Sequence, residues 1–279
     1  MPELPEILTL SNYLNSILSN HYIKNLKVLE KSRYYDKELP GSNYYRDYCK
    51  IAQVTSRGKK IIFVLETPSK QYIYLISFLG MEGCWTFEPT NHTSLSMDII
   101  LIKDNIETFQ FNLYFCDTRH FGLINIVSND AEYNSVFKDT GPDLLRENIT
   151  FEIYKNELKK PRKKNKQIGI FMLEQESFSG IGNYLRSEIL FHCKINPYRT
   201  LESLSDIEIQ SIYNSMYVIL KESYSKGGLT ISTYKLPNNQ LGEYKPLIYG
   251  RNQTDEGYTV TKEKMKDTRS IHYVKNIQI

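Results

Sequence analysis

The amino-acid sequence predicts an α+β protein, with an amino-terminal helix, an antiparallel β-sandwich or barrel-like sheet, and a helical domain bearing a small β-hairpin. Three observations carry this reading. Ile7, Leu10, Leu14, Ile17 and Leu18 recur at helical spacing. Short segments rich in Ile, Val, Tyr and Phe, separated by Gly, Asn, Asp or Pro, then occupy the chain as far as residue 127. Beyond residue 180 apolar spacing returns to three and four.

In chain order, Pro2, Glu3, Pro5 and Glu6 suit a helix start, because proline needs no amide partner there and carboxylates oppose the positive end of the helix dipole. Residues 23–29, 60–65, 72–78, 98–102, 108–115 and 123–127 read as strands. The Gly141-Pro142-Asp143 turn closes that region. Helices follow over 181–195 and 206–225, the second capped by Ser205 and Asp206 and stopped by Gly227-Gly228. Residues 258–261 and 271–277 complete a hairpin. The expected domains are 1–140, 141–230 and 231–279.

With 279 residues, 41% hydrophobic and 24% charged, the chain has an ordinary globular composition and room for two domains. The net charge of +3 is small, but Lys159-Lys160-Pro161-Arg162-Lys163-Lys164-Asn165-Lys166 concentrates cations, and Lys262, Lys264, Lys266, Arg269 and Lys275 follow near the end. Such runs are either solvated faces or nucleic-acid contacts. Cys49, Cys84, Cys116 and Cys193 are scattered without a C-x-x-C pair, which reads as buried or incidental thiols. No membrane-spanning segment or signal peptide is evident, so a soluble, reducing, intracellular setting is expected.

The chemistry is concentrated at Met1-Pro2-Glu3-Leu4-Pro5-Glu6. If Met1 is removed, Pro2 becomes a secondary amine beside a carboxylate. An α-amino group has a pKa of roughly 8, so a useful fraction is unprotonated near neutrality. Such an amine can attack a sugar carbon, and the resulting iminium ion is an electron sink that eases bond breaking nearby. From these residues alone, a helix start and a nucleophile are both open readings.

Four separated segments fit together: Pro2-Glu3-Leu4-Pro5-Glu6, Arg57-Gly58-Lys59, Asp117-Thr118-Arg119-His120-Phe121-Gly122 and Gly180-Ile181-Gly182-Asn183-Tyr184. Their order and spacing resemble the formamidopyrimidine-DNA glycosylase and endonuclease VIII family over nearly the whole chain. The resemblance implies that Pro2 is the nucleophile that displaces a damaged base, that Glu3 protonates the sugar oxygen and shuttles protons, and that Lys59 approaches the lesion and its phosphate. It also implies that Gly180 to Ile195 form a helix-two-turn-helix in which Gly182, Asn183 and free helix-terminal amides meet phosphates. Met81, Arg119 and Phe121 would fill the stack when a nucleotide is extruded; a core position for Met81 and Phe121 is the alternative, against which their placement in Gly-bounded loops argues. Lys164 falls near a backbone-contacting lysine.

The departure lies at the carboxyl end. Relatives carry a four-cysteine zinc hairpin after a segment similar to Tyr249-Gly250-Arg251, whereas residues 252–279 contain no cysteine. The ligand positions fall near Glu256, Thr259, Val274 and Ile277, which cannot form a thiolate site. The segment resembles a zincless finger in which Arg269 keeps its phosphate contact and His272 is structural. Phe78, Ser96 and Thr118-Arg119-His120 also differ from familiar family residues, and residues 235–243 form an unfamiliar version of the loop that closes over a flipped base. These differences leave oxidised purines and oxidised pyrimidines both open.

The resemblance thus implies a bifunctional DNA glycosylase and AP lyase acting by β,δ-elimination, with Pro2, Glu3, Lys59 and Arg269 catalytic. It implies no metal or organic cofactor, damaged DNA as partner and a monomeric state. A non-cutting damaged-DNA-binding protein is one alternative. A tautomerase using Pro2 as a base is another.

Overall fold

The computed structural model describes residues 1–230 and 234–279. The chain forms two compact units, one comprising Met1–Pro2, Glu6–Lys138 and Thr230–Gly242, the other Glu3–Pro5, Asp139–Leu229 and Glu243–Ile279.

Helix α1 (Leu4–Leu18) follows from the apolar spacing, with Ile7, Leu10, Leu14 and Leu18 fully buried. Its first turn holds Pro5 and Glu6. Pro2 and Glu3 precede the helix, which corrects the reading of Pro2 as a first-turn proline.

Eight strands follow: β1 (Tyr22–Val28), β2 (Cys49–Arg57), β3 (Lys60–Glu66), β4 (Tyr72–Phe78), β5 (Cys84–Thr86), β6 (Thr93–Lys103), β7 (Ile106–Cys116) and β8 (Leu123–Val127). They make one antiparallel sheet in the order β5-β7-β6-β1-β2-β3-β4-β8. The sheet curls onto itself. Trp85 of β5, at one end of that order, stacks on Phe63 of β3 at 5.1 Å, and its Nε1 donates to Ser77 Oγ of β4 at 3.2 Å. The expected sandwich is therefore a single folded sheet enclosing one core, in which every strand and α1 place side chains. Each such buried large apolar side chain contributes about 1.5–3 kcal/mol.

Alternation along β3 sorts its two faces. Ile61, Phe63 and Leu65 enter the core, while Ile62 and Val64 pack outward against Val136 and Phe137 of α2 (Asp130–Phe137). Lys60 shares that outer face, and its Nζ donates to the Val136 carbonyl at 3.1 Å.

The second unit contains α3 (Phe151–Leu158), α4 (Ile168–Phe171), α5 (Asn183–His192), α6 (Asp206–Ser225) and a hairpin of β9 (Thr261–Lys264) and β10 (Ser270–Tyr273). The hairpin strands lie elsewhere than expected. Residues 258–260 and 274–277 flank the strands, because Val260 and Val274 turn inward onto Ile248, with Phe191 and Ile277 packed around them. A second cluster of Met265, Ile271 and Tyr273 packs with Ile170 and Tyr198. The buried Gln278 side chain accepts from the Val274 amide at 2.7 Å and donates to the Ile195 carbonyl at 2.9 Å. Packing and this polar clasp hold the hairpin. Residues 252–279 include no thiol, and the expected ligand positions Val274 and Ile277 belong to the apolar cluster, so a zinc-thiolate site does not fit.

Helix α6 opens with a complete capping box between Ser205 and Glu208. Arg199, at 2.6 Å, and the Ser205 amide, at 2.8 Å, hold Glu208 down to about 2. A carboxyl lowered in the fold stabilises above its unfolded pKa, roughly 4.3. That stability is lost as pH falls from there towards about 2. Urea midpoints of wild type and Glu208→Gln should therefore differ at pH 6 and converge across this acidic window.

Candidate active site and nucleic-acid interface

In the second unit the segment Ser179-Gly180-Ile181-Gly182 turns sharply into α5. Gly180 sits at φ 107°, and its carbonyl accepts from the Leu4 amide at 3.0 Å. That contact aligns Glu3, only 3% exposed, with the amino terminus of α5. Glu3 Oε2 accepts from the Gly182 amide at 2.6 Å and the Leu185 amide at 3.2 Å, while Oε1 accepts from the Tyr184 amide at 3.0 Å. Three N–H donors and the positive end of the helix dipole thus converge on one buried carboxylate, an arrangement that stabilises negative charge. Residue 182 must be glycine, because a Cβ there would collide with the Glu3 carboxyl group.

This geometry corrects one expectation. Of the α5 terminal amides taken as phosphate donors, those of Gly182, Tyr184 and Leu185 are occupied by Glu3. The Asn183 side chain remains a candidate, and its orientation is set. Its Oδ1 accepts from Arg186 Nη2 at 3.1 Å, which leaves the Nδ2 end of the amide as the donor. The buried Arg186 also donates to the Gly169 carbonyl at 2.8 Å and the Ser270 carbonyl at 2.9 Å. Burial pulls this guanidinium down to about 10, so it remains charged near neutrality. One buried cation thereby links Asn183 to the residue beside Arg269. Arg269 is exposed at the hairpin turn, near Asp267 at 4.0 Å.

Glu188, one helical turn on, is also fully buried. Its carboxylate accepts from the amides of Leu247 (2.6 Å), Ile248 (3.0 Å) and Tyr249 (2.8 Å) and from the Tyr244 hydroxyl (3.1 Å). It anchors the segment leading into the hairpin. His272 packs edge-on against Tyr249 at 4.8 Å, and burial pulls its imidazole down to about 4, consistent with a structural histidine.

The basic run reads differently in the structure. Lys159 pairs with Asp206 at 3.5 Å, Lys160 with Glu157, Lys163 with Glu157 and Glu174, Lys164 with Glu202 at 3.9 Å, and Lys166 with Glu174. Lys163 is buried. Five of its six cations therefore serve an intramolecular ion-pair network, which reduces the positive charge available to DNA. Lys164, the expected backbone contact, is exposed.

In the first unit two loops come together. Met81 and Phe121 are 41% and 49% exposed, which excludes the core reading. The Arg119 guanidinium lies over the Phe121 ring at 4.9 Å and 3.8 Å from Glu82, beside Met81. Asp117 buckles the second loop, as its Oδ2 accepts from the Gly122 amide at 2.7 Å. Arg33 also braces it through the His120 and Gly122 carbonyls at 3.3 and 3.4 Å. Lys59 is half-buried at the β2–β3 turn, next to Gly58 at φ 56°. Pro2 is buried, Met1 is 43% exposed, and the Glu6 carbonyl accepts from the Tyr234 hydroxyl at 2.8 Å. Among the described residues, no group of three or more His, Cys, Asp or Glu could hold a metal ion, and no helix is long and apolar enough to cross a membrane.

Sequence reasoning missed Asp117, Arg186 and Glu188. A signal was present for the last two, since Arg186 and Glu188 are the two ordinarily charged residues of α5 and both are buried.

Comparisons with known proteins agree with this layout. Residues 1–124 match the formamidopyrimidine-DNA glycosylase N-terminal domain, and residues 140–235 match the formamidopyrimidine-DNA glycosylase H2TH domain. The chain is 30% identical over 297 residues to a formamidopyrimidine-DNA glycosylase of Exiguobacterium sp., covering 100% of this chain and 99% of that protein. It is similar to the crystal structure of MutM (Fpg) from Thermus thermophilus, with a TM-score of 0.83, 25% identity and coverage of 99% and 98% of the two chains. A Lactococcus lactis Fpg mutant in complex with Fapy-dG-containing DNA gives a TM-score of 0.83 at 26% identity, covering 99% of each chain.

Proposed function

The chain belongs to the formamidopyrimidine-DNA glycosylase family, and from that premise we propose a bifunctional DNA glycosylase and AP lyase of base excision repair that acts on oxidised bases. The observation that carries the proposal is the buried Glu3 carboxylate, next in the chain to Pro2 and held by three amides of α5.

With Met1 removed, the Pro2 amine attacks the anomeric carbon of an extruded nucleotide, and the damaged base departs with the bonding electron pair and takes a proton from water. Glu3, held as a carboxylate, takes the proton released at nitrogen and delivers it to the sugar ring oxygen, which opens the ring to an iminium ion. Loss of a proton from the adjacent carbon expels the 3′ phosphate, and a second elimination expels the 5′ phosphate. Lys59, Asn183 and Arg269 hold phosphates during these steps, with Lys164 as an outer contact, so binding falls steeply with salt. Met81, Arg119 and Phe121 occupy the vacated stack, and residues 235–243 close over the extruded base. The expected domain 231–279, of which 231–233 lie outside the described residues, would combine a capping loop with a zincless finger, and the chemistry uses side chains and the terminal amine alone.

Borohydride trapping tests this reading on oligonucleotides bearing an abasic site, an oxidised guanine or a thymine glycol, with mass spectrometry used to verify Met1 removal and map the adduct. A covalent adduct at Pro2 is expected, and the lesion ranking assigns base preference. Protein lacking Met1 that forms no adduct on any substrate would exclude the lyase mechanism.

A further inference from the structure

Cys84 and Cys116, which look unrelated in sequence, are direct cross-strand partners where β5 pairs with β7. Directly opposed residues of an antiparallel pair have Cα atoms about 4.5–5.5 Å apart, inside the range of about 4.4–6.8 Å that a disulfide spans. The two side chains lie on the same face of the paired strands, and Thr93 Oγ1 lies 3.3 Å from Cys116 Sγ. The neighbouring Cys84 thiol, with the Thr90 and Thr93 hydroxyls behind it, draws the Cys116 thiol below the ordinary range and favours its thiolate. The same pairing, together with burial, pushes Cys84 up. Cys84 is half-buried and Cys116 is buried behind it in the pair. The other two cysteines differ, since burial pushes Cys49 up and Cys193 up to about 12.

The position of the pair gives it consequence. Cys84 directly follows the loop holding Met81 and Glu82, and Cys116 directly precedes the loop holding Arg119 and Phe121. We propose that Cys84 and Cys116 form a reversible redox modification site for hydroperoxides, whose oxidation to a disulfide locks the stems of both loops and suppresses base extrusion from duplex DNA. The functional half of this inference rests on the glycosylase reading; the modification itself does not.

The chemistry balances with hydrogen peroxide as oxidant. The Cys116 thiolate attacks one peroxide oxygen, the S–O bond forms as the O–O bond breaks, and the departing hydroxide takes a proton to become water. Cys84 loses its proton and attacks the sulfenic sulfur, forming S–S and breaking S–O, with a second water released. The two sulfurs together give up two electrons, and the peroxide is reduced. Closing the sulfur pair to about 2.05 Å draws the two stems together, and small displacements of positioning groups have large kinetic cost.

Peroxide titration of the full chain tests the site, followed by peptide mapping and by activity on an oxidised base in duplex DNA and on a single-stranded abasic oligonucleotide. A Cys84–Cys116 cross-link reversed by dithiothreitol is expected, with Cys49 and Cys193 still reduced. Duplex excision should fall about tenfold or more while single-strand abasic cleavage is retained. Cys84→Ser should keep duplex activity in peroxide, and mapping of the wild type stands even if a variant folds poorly. Absence of the cross-link would overturn the site. A cross-link with unchanged duplex activity would overturn the switch, and reduced protein inactive on every DNA would overturn the glycosylase reading while leaving the cross-link intact.

Discussion

Glu3→Gln should lower the rate of base excision by about 10²-fold or more, the range in which removal of a proton-transferring side chain falls. The reason is visible in the cradle, where the amides of Gly182, Tyr184 and Leu185 all donate to this one carboxylate. A glutamine offers one acceptor oxygen and turns an NH2 group towards N–H donors, so at least one buried amide loses its partner at a cost of about 1–3 kcal/mol. Both the proposed proton transfer and the start of α5 are therefore affected. Single-turnover excision rates, measured with the urea midpoint of the same variant, separate the two effects. If the rate stays within about threefold of wild type, Glu3 has no part in the proton transfer.

Glu188→Ala should be strongly destabilising, because it strands several buried donors, each costing about 1–3 kcal/mol when left without a partner. Three consecutive amides, of Leu247, Ile248 and Tyr249, and the Tyr244 hydroxyl converge on this carboxylate. Urea denaturation reads the loss. A change below about 1 kcal/mol would mean that these donors find other partners.

Helix α6 and strands β4 and β8 were legible in the sequence to the residue, because their apolar patterns run unbroken between clear punctuation. Strand β2 was not. Its buried Cys49, Ile51, Val54 and Ser56 depart from strict alternation because the register shifts between Ile51 and Gln53. Strand β5 has only three residues, too few to show a period. In the hairpin, Val260 and Val274 look like strand residues, yet they lie just outside the strands, while the polar Thr261–Lys264 pairs with Ser270–Tyr273.

The candidate site was legible where a motif names its residues and obscure where its chemistry depends on pairing across the chain. The Gly-Ile-Gly-Asn segment suggested a phosphate site, but nothing local reveals that Glu3, far away in sequence, takes its amides. Likewise, the basic run left a solvated face and a DNA contact both open, and its carboxylate partners, Glu157, Glu174, Glu202 and Asp206, could not be read from the run itself. The opposition of Cys84 and Cys116 is set by strand order alone.

The hairpin held by Val260, Val274, Ile277 and the Gln278 clasp alters what the protein depends on. A hairpin built on metal thiolates comes apart when chelators strip the ion or oxidants consume its ligands. This one draws its integrity from the same hydrophobic burial as the rest of the chain, so Arg269 keeps its support through zinc scarcity and through oxidative conditions that would destroy a thiolate site.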